Sequence, residues 1–308
     1  MSLSDQLPIE MMTQIMCFCN DETLLNWSLT NNFYHQHIFG TCSKRNKQTG
    51  HYRSTIWKCR LLKLMNSLID QVNSIYITEG ISATPLSNFK ENDLDQYMET
   101  YCHDLMGTRD KYLMVYREFT LMKFTPTPHP SIKYDGRSVE NEGCTEWYSV
   151  LASLPLYNKN LSAKQRKTHP NVCFTFRGFE IIIDQITDCG NSWKIVLGIG
   201  NTFGNLNRDS SEAGYFYENQ GVGLAIGENA LKVKGKYETS LPPDVQPTKG
   251  DRYAAVIDDS GFVNFYKNGQ FIIKFSTGSS KGMWYPIVAL CRGKAVTILP
   301  LLEFYNLK

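Results

Sequence analysis

The chain has 308 residues, 42% of them hydrophobic and 20% charged, and a net charge of +2. That composition fits a folded globular protein of one large or two ordinary domains, and the small charge gives no global field for nucleic acid. Apolar runs such as Phe179–Ile183 are too short to span a bilayer, and MSLSDQLPIE lacks a basic region followed by an apolar one, so neither a membrane partner nor a secretory signal is expected.

Residues 1 to about 123 read as helical. Leu7, Met11, Met12, Ile15 and Met16, then Leu24, Leu25 and Leu29, recur at spacings of three and four. Pro8 suits a first helical position, and Asn20 or Asp21 suits the N-cap of a second helix with acids in its first turn. TIWKCRLLKLMNSLIDQVNSI (55–75) carries an amphipathic pattern. The Ser-, Thr-, Pro- and Asn-rich stretch 78–91 reads as a loop, followed by helical segments over 92–106 and 111–124. TPTPHP (125–130) holds three prolines in six residues and reads as an extended linker.

Beyond the linker the signal turns to strands. Eighteen of the 22 glycines lie after residue 130. Strand candidates are NVCFTFRGFEIIID, NSWKIVLGIGN, GVGLAIG, RYAAVID, FVNFYKN, FIIKF, WYPIVAL and AVTIL, separated by Gly, Asn and Asp. Asp258-Asp259-Ser260-Gly261 and Asn268-Gly269 supply turn chemistry, so GDRYAAVIDDSGFVNFYKNGQ is a meander with Ala255, Ile257, Val263 and Phe265 on one face. Many short strands with such turns imply an antiparallel sandwich. The fold class is therefore α+β multidomain, a helical N-terminal region followed by an antiparallel β-sandwich.

The nine cysteines are scattered and form no CxxC, and no histidine stands at zinc-finger spacing from a cysteine pair. This usage predicts a reducing compartment with mostly buried, inert thiols. Cys17 and Cys19 face different sides of a helix, which works against metal binding. No P-loop, GxSxG or HExxH occurs. GIGNTFG departs from the dinucleotide fingerprint. A Cys–His catalytic pair stays open, with no local motif pointing to it. The chain is expected to be no enzyme and to need no cofactor or metal.

The second half resembles a SPRY (B30.2) domain over about residues 131–302. The residues that carry the resemblance are Trp193 with VLGIGN, GVGLAIGENAL, KGDRYAAVIDDSGFVNFYKNG, WYPIVAL with its Tyr285-Pro286 pair, and the earlier YDGRSVENEGCTEWYSVLASLPL. The N-terminus resembles an F-box: LPIEMMTQIMCFCNDETLLNWSLTNNFYHQH holds Leu7-Pro8, Glu10, Ile15, Leu24-Leu25, Ser28 and Phe33, and Trp57 stands where that family often closes its motif. The stretch between Tyr34 and Trp57 is long for the family. The resemblance divides the chain into an F-box-like helical domain (1–63), a helical spacer (64–123), a Pro-rich linker (124–130) and a SPRY sandwich (131–308).

The resemblance implies the substrate-recognition subunit of an SCF-type ubiquitin ligase, with the F-box docking the Skp-type adaptor of a cullin complex and the SPRY loops holding a target protein or peptide. Adaptor-binding candidates are Leu7, Pro8, Glu10, Ile15, Leu24, Leu25, Phe33 and Trp57. The same apolar residues would equally form the core of any small helical bundle, and exposure separates the two readings. From Thr23 to Ile69 there is no Asp or Glu, while Lys44, Arg45, Lys47, Arg53, Lys58, Arg60 and Lys63 fall in that span. Such a basic surface suits an acidic adaptor, and it also suits a plain solvated face. No aromatic-rich motif makes it an RNA site.

Target-binding candidates are the aromatics Tyr215, Phe216 and Tyr217 in a polar loop, then Arg292 and Gly293, and Tyr134 near the domain start. The aromatics fit a folded-back loop as well as a ligand anchor. Peptide binders in the family often have Trp-Gly where this chain has Arg292-Gly293; the cation favours an acidic or carbonyl-rich ligand. The family context places the chain in the cytoplasm or nucleus, or in a host cytosol if it comes from a pathogen. The alternative is a SPRY interaction scaffold or adaptor unconnected with ligases.

Overall fold

The computed structural model describes residues 9–20, 23–24, 47–81, 84–102, 111–125, 130–143, 147–156, 177–187, 195–200, 221–226, 230–233, 236–240, 247–277 and 284–305. Helix α1 (Ile9–Phe18) buries Met16 and Cys17. Two residues past its end stands Asn20, whose side-chain oxygen accepts the Thr23 N–H at 2.8 Å, the N-cap arrangement expected for a new helical turn at Thr23 and Leu24.

Helix α2 (Lys47–Thr78) is 32 residues long. It starts eight residues before the expected 55, inside the stretch between Tyr34 and Trp57 that is long for the family. Ile56, Leu61, Met65, Leu68, Ile69, Val72 and Tyr76 are buried along it at helical spacing. The loop after it is tied back by two asparagines two turns apart. The Asn66 amide exchanges hydrogen bonds with the backbone of Phe89 (2.7 and 3.0 Å), and the Asn73 amide does the same with Leu86 (2.8 and 2.9 Å). Helix α3 (Glu91–Tyr101) opens with Asp93 accepting the Lys90 N–H at 2.8 Å, and its early acids complement the helix dipole. Helix α4 is Lys111–Leu121. No helix among the described residues is long and apolar enough to cross a membrane.

Two compact units divide the chain. The helical unit takes Met1–Asp70 and Ser87–Arg117; the sandwich unit takes Gln71–Leu86 and Glu118–Lys308. This differs from the boundaries expected at 63, 123 and 130. The end of α2 belongs with the sandwich, and the stretch 64–123 is not one spacer. Phe124, expected to open the linker, is 1% exposed and bridges Ala152, while the Thr125 N–H donates to the Leu151 carbonyl at 2.7 Å. The expected linker residues 126–129 lie outside the described residues.

The sandwich unit holds two antiparallel sheets. One has seven strands in the order β1 (Ile132–Tyr134), β2 (Ser138–Asn141), β13 (Lys294–Leu299), β4 (Gly178–Ile186), β9 (Arg252–Ile257), β10 (Phe262–Lys267) and β11 (Gln270–Ser276). The other has six: β3 (Tyr148–Leu151), β12 (Tyr285–Leu290), β5 (Ile195–Gly200), β6 (Gly221–Ile226), β7 (Ala230–Val233) and β8 (Lys236–Ser240). The expected meander is present, with Val263 opposite Ile257 and Phe265 opposite Ala255. Asn268 (φ 47°) and Gly269 (φ 80°) make its two-residue turn, both in the left-handed region that a type I′ hairpin requires.

The central strands are buried on both faces: every residue of β5, β6, β9 and β12 is interior. On β9 the second covering layer comes from the end of α2 and the chain's last segment. The Arg252 guanidinium donates to Glu180 at 3.0 Å, to the Tyr76 hydroxyl at 2.7 Å, and to Glu303. Glu180 in turn accepts the Leu302 N–H at 2.9 Å and the Tyr305 hydroxyl. A side chain at Gly250 (φ 85°) would meet Ile81 Cδ1 at 1.8 Å, so the turn after α2 lies directly against this glycine.

Candidate interaction surfaces

On α1, Met11, Ile15 and Phe18 are 49%, 41% and 78% exposed. They stand at i, i+4 and i+7, so one side of the helix carries an exposed apolar stripe while Met16 and Cys17 face inward. Ile15 is thus on the surface. Leu24 is 1% and Trp57 4% exposed, so both are interior residues rather than surface contacts. Trp57 packs against Tyr116 with ring centroids 5.2 Å apart. Leu7, Pro8, Leu25 and Phe33 lie outside the described residues. Glu10 is helical, and its side chain is outside the description as well.

Three of the seven cations in the acid-free stretch are engaged within the helical unit. Lys58 pairs with Asp95 at 2.8 Å and Glu91 at 3.7 Å. Arg60 is buried between the rings of Trp57 and Tyr116, 5.6 and 5.5 Å from their centroids, and donates to the Cys19 carbonyl. Lys63 donates to the Cys17 carbonyl at 3.0 Å and sits 3.6 Å over the Phe18 ring. Arg60 and Lys63 satisfy carbonyls at the C-terminal end of α1, where cations complement the helix dipole. The expectation of a free basic surface fails for these three, because each has an internal acceptor. The side chains of Lys44, Arg45, Lys47 and Arg53 lie outside the description.

In the sandwich, strand register fixes where the candidate loops leave. Gly200 pairs with both Gly221 and Tyr285, so residues 201–220 depart at the Tyr285 end of β12. Leu290 pairs with Ile195, and the Arg292–Gly293 turn follows at the other end of that strand. The base of the loop carrying Tyr215, Phe216 and Tyr217 and the Arg292 turn are therefore separated by the length of β12, six residues or ~20 Å. The three aromatics themselves lie outside the described residues. Arg292 is exposed; Gly293 (φ 73°) donates its N–H to Asn141 at 2.6 Å and accepts from the Thr187 N–H at 3.0 Å. Tyr134 lies between the two ends: its hydroxyl donates to the Phe124 carbonyl, Phe124 bridges Ala152 and the Ala152 N–H donates to Pro286 at 2.9 Å, while through Val139 it is level with Val296, three residues past Gly293. The ring is half-buried with its polar tip spent on the backbone, and burial pushes the hydroxyl's pKa up.

Among the described residues of this unit are two surface depressions. One of about 570 Å³ is lined by Tyr134 with Asp135, Glu140, Asp184 and Lys133. Burial pushes the Asp184 carboxyl up, although it accepts the Thr297 hydroxyl at 2.7 Å. The other, about 470 Å³, lies between Glu79–Ile81, Thr248–Lys249, Asp251 and Asn268. Its charges are paired: Lys249 with Glu79 at 2.7 Å, and Lys267 with Asp251 at 3.0 Å. Among the described residues no group of three His, Cys, Asp or Glu side chains could hold a metal ion. Sequence reasoning missed Glu180 and Arg252, whose only signal was a charge inside one apolar run and a charge at the head of another.

No family model matches the chain, and no curated protein matches it. Solved structures similar to it include a human SPRY domain, at 18% identity over 57% of this chain and 98% of that one with a TM-score of 0.42. The SPRY domain of human HERC1 matches at 15% over 59% and 99%, TM-score 0.42. The TRIM65 PSpry domain matches at 13% over 61% and 95%, TM-score 0.40.

Proposed function

We propose that this chain is the substrate-recognition subunit of an SCF-type ubiquitin ligase, docking a Skp-type adaptor of a cullin complex through its N-terminal helical unit and a target protein through its sandwich. The observation that carries the reading is the exposed apolar stripe Met11–Ile15–Phe18 on α1, inside the stretch that resembles an F-box. An uncovered apolar helix face suits a helix-packing partner. The order of turns and strands from Gly250 to Leu290, which resembles a SPRY domain, supports target binding by the other unit. The mechanism is proximity: the chain raises the effective concentration of a target lysine near a charged conjugating enzyme, and the bond-making chemistry resides in other subunits. The compartment that goes with it is the cytosol or nucleus of a eukaryotic cell.

Co-purification of the full chain with a Skp-type adaptor tests the reading. The wild type should form a complex, and Ile15→Asp, at an exposed position, should weaken it at least tenfold. Absence of a wild-type complex, or an Ile15→Asp variant that binds as well, overturns it. One observation favours a second reading, a scaffold unconnected with ligases: Lys58, Arg60 and Lys63 are engaged internally, which removes much of the charge complementarity to an acidic adaptor.

A further inference from the structure

Asn268-Gly269 is the one Asn-Gly pair in the chain. With no side chain on the following residue, the Gly nitrogen of such a pair can approach the asparagine side-chain carbonyl closely, which is the first step of deamidation. In the folded chain the Asn268 amide is held at both ends. Its oxygen accepts the Arg252 N–H at 2.8 Å, and its nitrogen donates to Asp251 Oδ1 at 2.9 Å. The Asn268 N–H donates to the Arg252 carbonyl at 2.8 Å, so the backbone is pinned to the same start of β9. Asp251 is itself fixed. It is 4% exposed, and its other oxygen accepts the Thr248 N–H at 2.9 Å, the Thr248 hydroxyl at 3.0 Å and the Lys267 ammonium at 3.0 Å. Solvent does reach the site, because Asn268 is half-exposed and lines the depression of about 470 Å³. Hydrogen bonding, not exclusion of water, holds the amide in place.

We infer that Asn268 is a deamidation site gated by the fold: it converts only once the turn has opened from β9, and the product destabilises the turn it replaces. The amide first leaves Arg252 and Asp251. The Gly269 nitrogen then attacks Asn268 Cγ. The new N–Cγ bond forms, the Cγ–Nδ2 bond breaks, and ammonia leaves with the proton that the Gly269 nitrogen gives up. Water opens the resulting five-membered imide. Cleavage at Cγ leaves an aspartyl residue, and cleavage at the main-chain carbonyl leaves an isoaspartyl one. The net change is amide plus water to carboxylic acid plus ammonia, with nothing oxidised or reduced.

Both products conflict with the native site. A carboxylate at position 268 removes the donor that Asp251 Oδ1 accepts from and sets two like charges side by side. An isoaspartyl link adds a main-chain methylene to a two-residue turn whose flanking residues, Lys267 and Gln270, pair directly. The turn has little slack to absorb it, since a Cβ on Gly269 would overlap the Glu303 carboxylate.

The test follows the wild-type chain in buffer and in guanidinium chloride at one pH and temperature, with digestion and mass mapping over time. Isoaspartate is read by enzymatic methyl transfer. In the unfolded chain the peptide holding Asn268 should gain about one mass unit and isoaspartate should appear. In the folded chain the two hydrogen bonds that must open should slow the conversion roughly tenfold or more. Asn268→Asp, which carries the aspartyl product from the start, should melt below the wild type or fail to fold. Equal rates in the folded and unfolded chain, no conversion at Asn268 in the unfolded chain, or an Asn268→Asp variant that melts with the wild type overturns the inference.

Discussion

The buried pair of Glu180 and Arg252 makes a prediction with a definite pH signature. Glu180 is 0% and Arg252 3% exposed, with 3.0 Å between them. Burial pushes the Glu180 carboxyl up, and Arg252, the Tyr305 hydroxyl and the Leu302 N–H pull against it. In Arg252→Met the cation is gone, and the carboxyl must take a proton to stay inside. Its folded pKa then stands well above the unfolded value of about 4.3, so the variant's stability is full below that value and is lost as pH rises. Holding a glutamic acid neutral costs about 1.4 kcal/mol for each pH unit above 4.3, up to about 3.7 kcal/mol at pH 7 and about 1 kcal/mol at pH 5. Glu180→Gln should behave differently, since the arginine left behind cannot discharge and its penalty should persist at both pH values. Urea unfolding followed by tryptophan fluorescence, with Trp147 and Trp284 buried in the sandwich, measures both variants. An Arg252→Met penalty that is the same at pH 5 and pH 7 refutes the reasoning.

Gly250→Ala should destabilise the sandwich by well over the ~1 kcal/mol typical of forcing a left-handed alanine, because its Cβ would also overlap Ile81 Cδ1 at 1.8 Å. Gly261→Ala (φ 81°), whose nearest neighbour is Thr277 Oγ1 at 3.9 Å, should show the backbone term alone; equal shifts in melting temperature for the two would contradict this. In the helical unit, burial raises the Asp95 carboxyl's pKa, but Lys58 and the Tyr112 hydroxyl outweigh it and hold the group below its usual range. Its stabilisation is therefore present above the ordinary carboxylate pKa and is lost as pH falls through the lowered one. Circular dichroism on acidification should show the wild type losing stability below pH ~4 more steeply than Asp95→Asn.

The strands from Gly250 to Ser276 were readable because turn residues and β-branched runs are local signals. Asn268 and Gly269 announce their own geometry. What α2 does was not readable. Its apolar stripe continues unbroken through Asp70 and Gln71, and a stripe does not say which core it faces. Nor does a basic stretch say where its acceptors are. Lys58 finds Asp95 37 residues on, and Arg60 and Lys63 find carbonyls more than 40 residues back. Glu180 and Arg252 each look like a solvent-facing charge in a strand. Only the register that brings β4 beside β9 joins them. The exposed side of α1 was half legible: the sequence holds Met11, Ile15 and Phe18, but the same spacing describes a core.

The strand ends that bound residues 201–220 and the Arg292 turn stand at opposite ends of β12, which bears on the footprint of a target. A ligand of three or four extended residues reaches only ~10–14 Å, too short for the six-residue strand between Gly200 and the Arg292 turn. A motif that short does not reach from the Arg292 turn to the strand ends at Gly200 and Gly221. A target that engages both must be a folded surface lying along the flank of the sandwich, or a chain with two separate epitopes. Tyr134, level with Val296 on β13 and lining a depression with Ala295, belongs to neither end alone.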